Sequence, residues 1–264
     1  MSRIDDIFQP GYKALIAFVT AGYPNYKATA KIAVALAECG CDIIELGIPF
    51  SDPLADGATI QKASYQALQQ GITPEACLKI AADIRKKIKT PLIFMTYYNP
   101  VLNYGLKDFC KSCVKAGING LIVPDLPPEE GLELETITRK SKLDLIYLLA
   151  PTSTENRINI VASSSRGFIY LVSLAGVTGT RNELSPELQS FVKRVREKTT
   201  LPLCVGFGIS TVEHAKQAAA LADGVIIGSR LIQLIEEDAK LISIKSFVTS
   251  IRQALDTQKN TGGY

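Results

Sequence analysis

The sequence predicts an α/β fold, a closed (β/α)8 barrel with extra short helices. Three observations predict it. Eight short apolar runs recur along the 264 residues. Amphipathic segments with helix start signals lie between them. No break in composition divides the chain, and a barrel of ~250 residues uses nearly all of it. Residues 1–264 are therefore expected to form a single barrel domain, with 257–264 a frayed polar tail.

The expected strands are Ala14–Val19, Ile43–Leu46, Leu92–Met95, Gly120–Val123, Leu145–Leu149, Phe168–Val172, Leu203–Val205 and Gly224–Ile227. Each reads as a near-continuous hydrophobic run, as expected where helices cover the outside and core fills the inside. Right-handed crossovers make ring closure the natural outcome of eight repeats. Between the strands, Thr73-Pro74-Glu75 and Ser185-Pro186-Glu187 each set a cap, a first-turn proline and an acid in order. Thr152-x-x-Glu155 and Ser210-x-x-Glu213 read as capping boxes. Gly40 and Gly117 close helices just before the next strands. Pro49–Gly71 is too long for a simple turn and is expected to carry its own helix, whereas Gly176–Leu184 is a glycine- and threonine-rich loop.

Composition excludes several classes. A net charge of +3 with 21% charged residues leaves no basic footprint for nucleic acid. The densest basic stretch, Arg85-Lys86-Lys87-Ile88-Lys89, reads as the solvated end of a helix. Residues 1–10 contain Arg3, Asp5 and Asp6 and no apolar core of a secretory signal. No apolar run approaches the ~20 residues that span a bilayer. The expectation is a protein of the cytoplasm, with the plastid stroma as the alternative for an organelle-encoded chain. The six cysteines have apolar neighbours and read as small buried hydrophobes. Cys110-x-x-Cys113 has no second pair and His214 is the only histidine, so no metal site is expected. His214 itself reads as a surface helical residue.

In this fold the chemistry sits at the C-terminal ends of the strands. Glu45 stands within the apolar run Cys41-Asp42-Ile43-Ile44-Glu45-Leu46. A carboxyl pointing into the barrel is costly unless something needs it. Burial would raise its pKa towards neutrality and suit general acid/base work. Pairing with a barrel cation is the other reading, and position alone does not separate them. Asp52 and Asp56 occupy a proline-rich loop where turn chemistry also explains them. Asp125 either caps the following helix or lines the cavity.

Anion binding has the strongest pattern. Gly206-Phe207-Gly208 after the seventh strand, Gly228-Ser229 after the eighth and Gly176-Val177-Thr178-Gly179 after the sixth can converge on one phosphate. Glycines let backbone N–H groups approach an anion, and helix N-termini favour negative charge. Gly206-x-Gly208 is not a dinucleotide fingerprint, because Thr211 replaces the third glycine, and there is no Walker sequence.

Taken in order, these motifs resemble the tryptophan synthase alpha chain family. The resemblance rests on Phe18-Val19-Thr20-Ala21-Gly22-Tyr23-Pro24, on the long stretch from Glu45 to Gly57, and on Tyr97-Tyr98-Asn99-Pro100. Val123-Pro124-Asp125-Leu126-Pro127, Ala150-Pro151-Thr152, Gly176-Val177-Thr178-Gly179 and Gly206-Phe207-Gly208-Ile209 extend it. It implies a TIM-barrel lyase that cleaves indole-3-glycerol phosphate by a retro-aldol reaction. It implies Glu45 and Asp56 as the catalytic pair, and Tyr170 as an aid to placing Asp56. Phe18, Tyr97 and Phe207 would line the indole slot. Gly179, Gly208, Gly228 and Ser229 would hold phosphate, with Gly206 and Thr178 nearby. The resemblance further implies a beta chain carrying pyridoxal phosphate, joined in a heterotetramer, with Asp52, Pro53, Asn99 and Pro100 facing it. No cofactor is implied for this chain. Two positions depart from the family: Ala58 replaces a common proline, and Leu174 replaces a polar or basic residue.

Overall fold

The computed structural model describes residues 4–173, 186–206, 208–238 and 240–258. Its strands are β1 Ala14–Thr20, β2 Ile43–Gly47, β3 Leu92–Met95, β4 Gly120–Ile122, β5 Asp144–Ile146, β6 Leu148–Leu149, β7 Ile169–Val172, β8 Leu203–Gly206 and β9 Gly224–Ile227. All pair in parallel, in the order β5-β4-β3-β2-β1-β9-β8-β7-β6.

The expected fifth strand is therefore two pieces, and the count is nine instead of eight. Tyr147 lies between them. β5 pairs with β4 on one side, β6 with β7 on the other. The Tyr147 carbonyl accepts the Tyr170 N–H at 3.0 Å, and the Leu145 carbonyl accepts the Arg166 N–H at 3.0 Å. The ring thus closes through one strand that changes neighbours at Tyr147. A uniformly apolar run such as Leu145–Leu149 holds no local signal for that break.

Helices alternate with the strands: α1 Tyr26–Glu38, α2 Ala58–Gln69, α3 Pro74–Arg85, α4 Tyr98–Tyr104, α5 Leu106–Ala116, α6 Leu132–Ser141, α7 Glu155–Ser164, α8 Pro186–Arg196, α9 Val212–Leu221, α10 Ser229–Glu237 and α11 Ile242–Thr257. α2 is the helix expected within Pro49–Gly71. Thr73 caps α3 by accepting the Ala76 N–H, with Pro74 in the first turn. The two expected capping boxes sit elsewhere. Thr154, not Thr152, caps α7, and Thr211, not Ser210, caps α9. Each stretch offers adjacent hydroxyls, and the one directly before the first helical residue has the required extended backbone. Ser185 lies outside the described residues. Thr257 ends α11 and Gln258 donates to the Lys216 carbonyl, so neither belongs to a frayed tail; 259–264 lie outside the described residues.

Strand alternation splits the core in two. Leu15, Ala17, Ile44, Leu46, Leu92 and Phe94 face the helices. Ile16, Phe18, Ile43, Ile93, Met95, Ile122, Ile146, Phe168, Tyr170, Cys204 and Ile226 fill the barrel. Ile4, fully buried, joins this interior from the short 3-10 turn Asp5–Ile7 region. The basic stretch is only partly solvated. The Arg85 guanidinium donates to the carbonyls of Gly117, Ile88 and Thr90 and to Asn119 Oδ1, tying the end of α3 to the α5–β4 turn. All six cysteines are free and five are buried. Cys110 and Cys113 pack in the core. Among the described residues no helix is long and apolar enough to cross a membrane.

Candidate active site

Glu45 is the third residue of β2, on the barrel side with Ile43, in register with Phe18 of β1 and Ile93 of β3. It is fully buried, and neither carboxylate oxygen has a hydrogen-bond partner among the described residues. The cation-paired reading therefore finds no support among the residues described. Burial, and then the nearby charge of Asp56, push its pKa up to about 8. A carboxyl in that environment keeps its proton at neutral pH.

Asp56 arrives from the loop between β2 and α2. Burial raises it to about 6, with a hydrogen bond from the Tyr97 hydroxyl pulling the other way. Near pH 7 the two carboxyls differ in state, one protonated and one ionised. Tyr97 follows β3 and stacks on Phe50 with ring centroids 5.2 Å apart. Its hydroxyl also accepts the Ala55 N–H at 2.9 Å. Ala58, the departure from the family proline, is the first residue of α2, a position where proline fits well.

Phe18 of β1 and Tyr170 of β7 both point into the barrel. A Cβ on Gly47 would lie 2.6 Å from Phe18 Cζ, and one on Gly206 would lie 2.3 Å from the Tyr170 hydroxyl. Both glycines are thus spaces that aromatic rings occupy. Tyr170 is deeply buried, and burial followed by the charges of Glu45 and Asp56 raises its phenol well above the usual range.

The loops after β8 and β9 are neighbours because these strands pair. Gly208 adopts φ +80, a conformation that L side chains rarely take, and is exposed. Gly228 precedes α10, whose exposed first residue is Ser229. Two of the three expected phosphate loops therefore leave adjacent strands, and one of them leads directly into the N-terminus of α10. Thr178, Gly179 and Phe207 lie outside the described residues, as does Leu174.

Asp52 and Pro53 sit in the β2–α2 loop, with Leu54 93% exposed beside them. Asn99 and Pro100 lie in α4, after the adjacent strand β3, with Leu102 also exposed. All four occupy the same end of the barrel as Asp56. Asp125 does not cap the helix that follows it; it lines a pocket at the ends of β4, β6 and β7 with Val123, Leu149 and Val172. Its Oδ1 accepts the Tyr98 N–H at 2.9 Å, satisfying the first turn of α4 instead of the helix that follows it in sequence. His214 is half-buried in α9, its ring near Ser210 Oγ. Thr20 is the residue that sequence reasoning missed. The available signal was its polar side chain at the end of β1, in the inward register of Ile16 and Phe18.

Residues 4–259 match the family model described as tryptophan synthase alpha chain. The tryptophan synthase alpha chain of Dehalococcoides mccartyi is 56% identical over 256 residues, spanning 97% of this chain and 100% of that one. That of a Roseiflexus species is 48% identical over 242 residues, spanning 90% and 93%. The solved structure of tryptophan synthase subunit alpha from Legionella pneumophila superposes with a TM-score of 0.90 at 38% identity, covering 97% of this chain and 99% of that one. Matched over nearly its whole length by the family model, by these relatives and by the solved barrel, the chain belongs to the tryptophan synthase alpha chain family.

Proposed function

We propose that Glu45 and Asp56 are the acid/base pair with which this chain cleaves indole-3-glycerol phosphate to indole and glyceraldehyde 3-phosphate. The observation that carries the reading is Glu45: a fully buried carboxyl, without a hydrogen-bond partner among the described residues, on the barrel side of β2. Protonated near neutrality, it gives its proton to indole C3. The ring becomes an iminium-like electron sink. The Glu45 carboxylate then takes the proton of the side-chain hydroxyl next to the ring. The C–C bond breaks, its electrons return to the ring, and Glu45 ends protonated as it began. Ionised Asp56 accepts the indole N–H and stabilises the positive charge as it develops.

Phe18, Tyr97 and Tyr170 line the ring's slot, and Gly206, Gly208, Gly228 and Ser229 receive the phosphate. Thr178, Gly179 and Phe207 complete the set by resemblance. Asp52, Pro53, Asn99 and Pro100 face a beta chain in a heterotetramer. That partner holds the pyridoxal phosphate, and this chain needs no cofactor of its own. Free indole is apolar and leaks readily, which gives direct transfer to the partner a physical purpose. We place the assembly in the cytoplasm; the plastid alternative gains no support from the bacterial relatives. A barrel synthase acting on related indole phosphates would need a lysine at a strand end. Thr20, Gly47, Met95, Ile122, Ile146, Leu149, Val172, Gly206 and Ile227 end the nine described strands.

The test is indole release from indole-3-glycerol phosphate by Glu45→Gln and Asp56→Asn, each with a beta chain present. Loss of ~10²-fold or more is expected in both. Wild-type turnover in both refutes the assignment.

A further inference from the structure

Thr20 ends β1 on the barrel side and is 2% exposed. Its hydroxyl has no hydrogen-bond partner among the described residues. Such a group is unusual, because buried polar atoms are nearly always paired. The hydroxyl faces a narrow cleft shared with Phe18, Gly47, Asp56, Met95 and Tyr97. These residues leave about 10 Å³ between them, room for about one water molecule. An indole ring needs more room than this, so the cleft must widen to admit it.

The other polar groups of the cleft are already committed. Ser64 Oγ accepts the Phe50 N–H at 3.0 Å and donates to the Phe50 carbonyl at 3.4 Å. The Tyr97 hydroxyl accepts from Ala55 and donates to Asp56. Phe18, Met95 and Ile60 offer no strong acceptor. A carboxylate has about four acceptor sites, and Tyr97 uses one of those on Asp56.

The geometry points to Thr20 as a positioning residue whose hydroxyl donates to the Asp56 carboxylate once substrate occupies the cleft. This rests on the cleavage reading above. The bond turns one carboxylate oxygen towards Thr20 and leaves the other for the indole N–H. It also favours the ionised form of Asp56 in the complex, where the ring has displaced water. The titratable groups facing Asp56 are Glu45 from β2, Tyr97 before α4 and Tyr170 from β7.

The experiment compares Thr20→Val and Thr20→Ser in the complex with a beta chain, by pH profiles of kcat and kcat/KM. Thr20→Val keeps the shape and removes the hydroxyl. Its kcat is expected to fall about tenfold at pH 7, and the acid limb of kcat to move up by about one pH unit. The acid limb of kcat/KM reports free enzyme and stays in place. Thr20→Ser restores kcat to within about threefold of wild type by keeping the donor. The urea midpoint of Thr20→Val should match or exceed wild type, since an unpaired hydroxyl is lost. If that variant does not fold, Thr20→Ala replaces it. Wild-type kcat in Thr20→Val, failure of Thr20→Ser to restore it, or a displaced limb in both profiles each overturns the proposal. Absence of indole release by the wild-type complex instead overturns the cleavage reading itself.

Discussion

Tyr97 Oη accepts the backbone N–H of Ala55 at 2.9 Å, across 42 residues of sequence. The same hydroxyl donates to Asp56. One phenol thus fastens the β2–α2 loop to the end of β3 and holds down the pKa of the carboxyl that the loop carries. Tyr97→Phe keeps the ring and its stacking on Phe50 but removes both bonds. We expect kcat/KM to fall about tenfold. The acid limb of its pH profile should move to higher pH, because a donor to the charged form lowers a pKa and its loss raises it. Steady-state kinetics from pH 5 to 9 check both.

The wild-type profile should be bell-shaped. Asp56 must be ionised, and burial sets it at about 6. Glu45 must be protonated to start the reaction, and burial sets it at about 8. Activity should therefore peak between the two. A flat kcat/KM between pH 5 and 9 contradicts this pairing.

Glu45 also links pH to stability. Its folded pKa is raised, whereas an unfolded glutamate ionises near ~4.3. Between those values the folded chain binds more protons than the unfolded chain. The stabilising contribution is full below the unfolded pKa and is lost as pH rises through about 8. Glu45→Gln has no proton to lose, so its stability relative to wild type should grow from pH 5 to pH 8.5. Urea unfolding at three pH values across that window measures it.

Gly206 faces the Tyr170 hydroxyl so closely that an added Cβ would lie 2.3 Å away. Gly206→Ala must push Tyr170 out of place. Displacing a positioned group by about 1 Å commonly lowers turnover about 10²-fold. We expect that loss in kcat with the fold intact. Indole release and a thermal melt, measured together, separate the two effects.

At the opposite end of the barrel, Asp42 accepts from the Tyr12 hydroxyl at 2.6 Å, the Leu15 N–H at 2.8 Å and Arg252 at 3.0 Å. Arg252 belongs to α11 and lies over the Tyr12 ring. Arg252→Leu strands a nearly buried carboxylate and should destabilise the chain by ~3 kcal/mol. Denaturant unfolding measures the change. Indole release at low temperature should persist, since the network is remote from Asp56.

Much of the fold was legible because period and burial write themselves into local sequence. β2 and the helix within Pro49–Gly71 are visible as runs and start signals. Thr73 is a unique cap candidate before Pro74 and is placed correctly. Thr152 and Ser210 are not unique, since other hydroxyls stand beside them, and backbone geometry selected Thr154 and Thr211. Arg85 and Asp125 show the same limit. Their partners, Gly117, Asn119 and Tyr98, come from neighbouring strand–helix units, and no window around either residue contains them.

By itself the sequence determined the alternation of strand and helix, the glycine turns after β8 and β9, and the presence of a carboxyl in an apolar run. These follow from side-chain periodicity and backbone freedom, which act over a few residues. Only the tertiary structure decided that the barrel closes through Tyr147, that Glu45 is buried without a partner among the described residues, and that Thr20 shares a cleft with Asp56. Each depends on which residues meet across the ring. Desolvation and hydrogen bonding are set by that meeting and not by neighbours along the chain.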